Sequence, residues 1–71
     1  MSREAAKKIV DLMVRHAAEQ NATLVEVQGM CTESEFQEYK QMIGRSMGSM
    51  LLDVVNPIVE RYPDLKPRQL D

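Results

Sequence analysis

Apolar residues between Thr32 and Tyr62 recur with the period of an α-helix and cover roughly half of its circumference. The opposite face is polar throughout. A stripe about half as wide is enough to pack one helix against a single neighbour. The pattern therefore predicts one long amphipathic helix with more apolar surface than one partner covers. The apolar arc consists of Met50, Val54, Met47, Ile58, Leu51, Gly44, Tyr62, Val55, Gly48, Val59 and Leu52.

The size of the chain limits how this surface can be covered. A chain of 71 residues buries a small fraction of its surface and usually needs a disulfide, a metal or oligomerisation to be stable. Cys31 is the single cysteine, so an internal disulfide is excluded. A composition of 44% hydrophobic and 28% charged residues is typical of a folded domain. We expect residues 1–71 to form one helical domain that self-associates.

A first helix is predicted from Ser2, a good N-cap, to about Gln28, with Gly29 as the left-handed residue that ends it. The alternative is a break near Asn21 followed by a short strand within residues 22–28, because that stretch is rich in β-branched residues. The helix would bury a coiled-coil-like stripe whose spacing alternates four and three. Its members are Ala6, Val10, Met13, Ala17, Gln20, Leu24, Val27 and Cys31.

The start of the second helix carries a stronger signal. Thr32 and Glu35 match the capping box, in which each residue binds the backbone N–H of the other, and Cys31 can pack on Phe36 across it. The turn is then only about residues 29–31. Since so short a link places two helices side by side in opposite directions, the sequence predicts an antiparallel two-helix hairpin.

Pro57 lies within the second helix, where it removes a backbone donor and crowds the preceding turn. Two outcomes are open, a kink or an end of the helix, and a kink is favoured because the apolar arc continues beyond Pro57. Tyr62 precedes Pro63 and should end the helix. Residues 64–71 are predicted to be an extended tail. Two of its residues could dock on a neighbouring subunit, Leu65 and Leu70.

Gly44 and Gly48 lie one turn apart inside the apolar arc, although each glycine costs a helix about 1 kcal/mol relative to alanine. The favoured explanation is close approach of a partner helix, and the alternative is a hinge or a groove for a ligand. The predicted architecture is an all-α hairpin that forms a homodimeric four-helix bundle. The predicted interface residues are Gly44, Met47, Gly48, Leu51, Val55 and Val59.

No combination of residues indicates catalysis, a metal site or a cofactor. His16 is the single histidine, lies beside the apolar stripe of the first helix, and is expected to be a boundary residue of that stripe or an interface residue. Cys31 precedes a helix start but is flanked by carboxylates that oppose thiolate formation. Glu33, Glu35 and Glu38 fit ordinary helix electrostatics, and no Glu-x-x-His element accompanies them. We therefore expect a protein that is not an enzyme, with no catalytic, cofactor-binding or metal residues.

Charge also bears on partners and location. The formal net charge is −2, which gives no general attraction to nucleic acid or anionic lipid. Arg3, Lys7 and Lys8 are not followed by an apolar run long enough for a signal sequence or a membrane span. The sequence predicts a soluble, cytoplasmic protein that does not bind membranes.

The functional prediction is a small non-enzymatic interaction module, such as a regulator, adaptor or structural subunit, that acts through homo-oligomerisation, with a dimer favoured. One alternative is a small dimeric nucleic-acid-binding regulator, which its acidic charge disfavours. Its candidate contacts would be Arg3, Lys7, Lys8 and Arg45. Another alternative is a subunit of a hetero-complex, whose apolar arc would pack against an unrelated protein.

Overall fold

The computed structural model describes residues 1–67, which form two helical arms and no strand. The first arm is α1, Arg3–Gln28. The second arm is almost continuous and comprises α2, Glu33–Ser49, a π-helix, Met50–Val55, and α3, Asn56–Arg61. A single 3₁₀ turn, Pro63–Leu65, follows it. The predicted all-α helical hairpin is confirmed.

Both ends of α1 match the predicted boundaries, and the predicted mechanism holds at the first end but not at the second. Ser2 Oγ accepts a hydrogen bond of 3.1 Å from the Ala5 backbone N–H, as an N-cap does. The helix runs unbroken to Gln28, so the alternative strand within residues 22–28 does not form. Gly29 has φ −82° and ψ −2°, so the prediction of a left-handed residue was wrong. The turn closes instead because the Met30 N–H donates to the Val27 carbonyl at 2.9 Å.

The predicted capping box at the start of α2 is confirmed. The Glu35 N–H donates to Thr32 Oγ1 at 3.1 Å, and the Thr32 N–H donates to Glu35 Oε1 at 2.9 Å. The hydrogen bond from the Thr32 backbone is the main reason that the pKa of Glu35 lies below its ordinary value. Phe36, the next residue, is buried. A locally specified helix start therefore fixes where the second arm turns back along the first.

Pro57 does not end the second arm, which continues as a helix to Arg61. The six residues Met50–Val55 form a π-helix, and the Asn56 N–H donates to the Leu51 carbonyl five residues earlier. A π-helix places about one more residue in each turn, so it moves carbonyl groups away from their α-helical positions ahead of the proline ring. The second arm therefore continues through the position of the missing donor by changing its helical register. The helix ends at Tyr62, whose φ of −131° and ψ of 74° are not helical.

The two arms bury a small core. Among residues 1–67 the buried apolar side chains are Ala6, Val10, Phe36 and Val55. Every predicted member of the α1 stripe is buried or half-buried, from Ala6 to Cys31. The molecule measures 45 × 20 × 17 Å, which agrees with a second arm of 29 residues at about 1.5 Å each.

The beginning and end of the described chain are tied together. Arg3 Nε donates to Asp64 Oδ2 at 2.8 Å, and the Tyr62 hydroxyl donates to the Met1 carbonyl oxygen. The chain does not become extended at Asp64 as predicted, because Asp64 and Leu65 belong to the 3₁₀ turn. Leu65 is half-buried against its own chain's surface, and the predicted docking residue Leu70 lies outside the described residues.

Candidate functional site

An apolar groove lies between the two arms. It has a volume of about 460 Å³ and lies where the middle of α1 faces the end of α2 and the π-helix. We call it the apolar groove. Its lining residues on α1 are Met13, Val14, Ala17, Ala18 and Asn21, and those beyond α1 are Met47, Gly48, Met50, Leu51, Val55 and Pro67.

The chemistry of this groove favours contact rather than catalysis. Among the lining residues within 1–67, Asn21 supplies the one polar side chain, and none of them titrates. Three are methionines, whose flexible and polarisable side chains adapt to partners of different shape. The described part of the lining therefore offers no candidate general acid, general base or nucleophile, and its surface suits another apolar surface.

Small residues keep this groove open. Ala17 and Ala18 line it from α1, and Gly48 lines it from α2. A Cβ atom added to Gly48 would meet nothing within 4 Å, and the same holds for Gly44. The glycines therefore do not allow a close approach between the two arms of one chain. Gly48 instead leaves space in the groove that a side chain would occupy.

The predicted interface residues fall in three different environments. Met47, Gly48 and Leu51 line the groove. Val55 also lines it, but only 5% of its surface is exposed, so it is a core residue of the single chain. Gly44 is exposed and outside the groove.

Val59 is half-buried on α3, also outside the groove lining. The contribution of α1 to the groove was missed as a site, although Met13 and Ala17 belong to its predicted stripe. Val14, Ala18 and Asn21 lie beside that stripe on the helix surface, and the sequence carries no signal that they face a groove. Whether these three residues line a groove depends on the distance between the two arms.

Leu52 is an exposed large apolar residue beside a lining residue in the sequence. It directly follows Leu51 in the π-helix, lies outside the groove lining, and is 65% exposed. A second, smaller groove of about 370 Å³ lies beside the first and shares Val14 and Pro67 with it. Asp11 and Arg15 line this smaller groove, so its border is charged.

The remaining residues that could carry chemistry do not form a cluster. Within residues 1–67 no three side chains of histidine, cysteine, aspartate or glutamate come together as metal ligands. Cys31 is a free, half-buried cysteine in the turn. Hydrogen bonding from Arg3 is the main reason that the pKa of Asp64 lies below its ordinary value. This pair joins the chain ends and lies in neither groove.

No helix in residues 1–67 combines the length and the apolar character needed to cross a bilayer. A comparison of the chain with protein-family models, curated proteins and solved structures finds no match.

Proposed function

We propose that the chain is a small non-enzymatic interaction module that acts by self-association, as a homodimeric four-helix bundle. In the cell it would serve as a regulator, an adaptor or a structural subunit that presents a helical surface. The observation that carries this proposal is the amount of surface that the single chain leaves uncovered.

The exposed area of the chain is 5328 Å². Folded monomers of this mass, 8.1 kDa, expose about 4,500 Å² on average, so the chain exposes roughly 800 Å² more than expected. A protein–protein interface of ordinary size covers about 800 Å² on each partner. One interface of ordinary size would therefore bring the exposed area to that of a typical monomer.

The shape of the chain supports the same proposal. Its radius of gyration is 14.3 Å, whereas a compact domain of this length has about 11 Å. An elongated hairpin has a single layer of side chains between its arms, and a second pair of helices can enclose that layer from the open side. The apolar groove lies on this uncovered part of the hairpin.

The competing nucleic-acid function receives less support from the side chains. Arg3 pairs with Asp64, and Lys7 Nζ lies 2.8 Å from Asp11 Oδ2. Two of the four cations predicted for phosphate contacts are thus already paired with carboxylates. A cation in such a pair must exchange one anion for another, which weakens its contribution to phosphate binding.

The test is the mass of the pure full-length protein, measured by light scattering during size exclusion from micromolar to near-millimolar concentrations. We expect a dimer that dissociates only at the lowest concentrations. A monomer at every concentration would contradict self-association. The uncovered arc would then be available to a different protein, which is the hetero-complex alternative.

A further inference from the structure

The apolar groove is larger than anything that residues 1–67 place in it. An apolar cavity of about 150 Å³ already accepts a molecule the size of benzene, and the groove has about 460 Å³. The space next to Gly48 is open, since an added Cβ would have no neighbour within 4 Å. The groove therefore has room for at least one large aliphatic side chain from outside.

Leu52 is a side chain of the required kind. It is 65% exposed, lies four residues after Gly48, and follows the lining residue Leu51 directly. Leu52 cannot fill the groove of its own chain, because it lies outside the lining.

In a single chain, Leu52 is exposed while the groove has open space. A symmetric dimer would place the one in the other. In a symmetric dimer the same patch is used by both copies, so a projecting side chain on one copy meets the recess of the other, and the reverse contact forms at the same time. The roughly 800 Å² of excess exposed area matches one such interface. The occupant that the exposed area favours is therefore a second copy of this chain.

We propose that the apolar groove is the docking site for a second copy, and that Leu52 of each copy enters the groove of the other between Ala17 and Gly48. This inference rests on the self-association proposed above and assigns the surface that carries it. Gly48 has a specific role in it, since the absence of a side chain leaves the recess open. Gly44, one turn earlier and outside the groove, has no such role.

The first experiment compares Gly48→Leu with Gly44→Leu. Both substitutions replace a helical glycine with a strong helix former in open space, so both variants should fold with unchanged or higher helical content by circular dichroism. A leucine at position 48 fills the recess, and we expect the dimer dissociation constant to rise at least tenfold. The Gly44→Leu variant should dimerise like the original protein.

The second experiment places the contact directly by disulfide cross-linking. In a Cys31→Ser background, Leu52→Cys protein is mixed with Ala17→Cys protein and oxidised with oxidised glutathione. A disulfide requires the two Cα atoms to lie within about 7 Å, so the linkage reports position. We expect a cross-linked heterodimer. The matched control replaces Ala17→Cys with Val25→Cys, an exposed position on the same helix outside the groove.

The outcomes separate this inference from the function on which it rests. Support for both self-association and the assigned surface would be a dimer that Gly48→Leu weakens, that Gly44→Leu does not weaken, and that cross-links through positions 52 and 17. A dimer that tolerates Gly48→Leu, with equal cross-linking at positions 17 and 25, overturns the assigned surface and leaves self-association intact. If the original protein is a monomer at all concentrations, both proposals fail.

Discussion

Arg3 Nε donates a hydrogen bond of 2.8 Å to Asp64 Oδ2, which joins the first turn of α1 to the 3₁₀ turn 61 residues later. The Tyr62 hydroxyl reaches the Met1 carbonyl next to it. These two contacts hold the open end of the hairpin together, opposite the turn at residues 29–32. The hairpin is therefore fixed at both ends, and the apolar groove lies between them.

The Arg3–Asp64 pair should make stability depend on pH in the acid range. Its hydrogen bond lowers the pKa of Asp64 from the ordinary value of 3.8, so folding favours the ionised carboxylate. That stabilisation is complete above pH 3.8 and is lost as the pH falls through the lower pKa of the folded state. We expect Asp64→Asn to lower the melting temperature slightly at neutral pH. The difference from the original protein should vanish in stronger acid, and a constant difference at all pH values would refute this linkage.

The capping box should contribute to the stability of the second arm. Thr32→Ala removes the acceptor for the Glu35 N–H, and loss of a threonine cap costs about 1 kcal/mol. Urea unfolding followed by circular dichroism measures the change. Thr32→Ser retains a hydroxyl at the same position and serves as the control. Equal stability of the alanine and serine variants would show that the cap is not needed.

Truncation to alanine should destabilise the chain much more at Val55 than at Leu52. Val55 is 5% exposed, and its replacement by alanine should cost about 2 kcal/mol in unfolding free energy, through lost burial and an unfilled space. Leu52 is 65% exposed, so Leu52→Ala should change monomer stability by less than about 0.5 kcal/mol. Both unfolding free energies should be measured at protein concentrations too low for self-association. A larger loss of unfolding free energy for Leu52→Ala than for Val55→Ala would contradict the exposed fractions of the two residues.

Pro57→Ala should restore an α-helical register to the second arm. With a backbone N–H at position 57, the segment Met50–Val55 no longer needs its π-helical turn, and helical content should stay the same or rise. Removing the π-helix rotates the residues that follow it, which displaces Val55 and α3 relative to α1. We therefore expect weaker self-association by light scattering, despite a helix that is no less stable. If Pro57→Ala leaves the strength of self-association unchanged, the π-helical register is not needed for the dimer.

Gln20 should be replaceable by an apolar residue with a gain in stability. Its Oε1 atom is buried and has no hydrogen-bond partner within residues 1–67, and an unsatisfied buried polar group costs about 1–3 kcal/mol. Gln20→Met keeps the length of the side chain and removes the unpaired amide. We expect an increase of about 1 kcal/mol in unfolding free energy. Gln41→Met, at an exposed position outside both grooves, is the control, and a loss of stability in Gln20→Met would refute the explanation.

The local features of this fold could be predicted from short stretches of sequence. The Ser2 cap, the capping box of Thr32 and Glu35, and the end of the helix before Pro63 each depend on backbone groups a few residues apart. The buried stripe of α1 was also predicted correctly, because a helical period alone selects its members. The prediction of a left-handed glycine was wrong, because the turn closes through a backbone hydrogen bond that leaves Gly29 in the right-handed region.

The candidate site was only partly predictable. The width of the apolar arc indicated surplus surface and selected Met47, Gly48 and Leu51, which line the groove. It could not separate them from Val55, which the chain covers itself, or from Gly44, which lies outside. A helical wheel with a constant angle per residue also fails within Met50–Val55, since the π-helix changes that angle.

Two amphipathic helices, their caps, the tight turn and the wide apolar arc could all be derived from the sequence. These properties follow from periodicity and from hydrogen bonds between residues close in sequence. The folded structure was needed to show how Pro57 is accommodated, which arc residues become core, and where the arms leave a groove. Those features depend on the distance and rotation between α1 and the second arm, which no short stretch of sequence encodes.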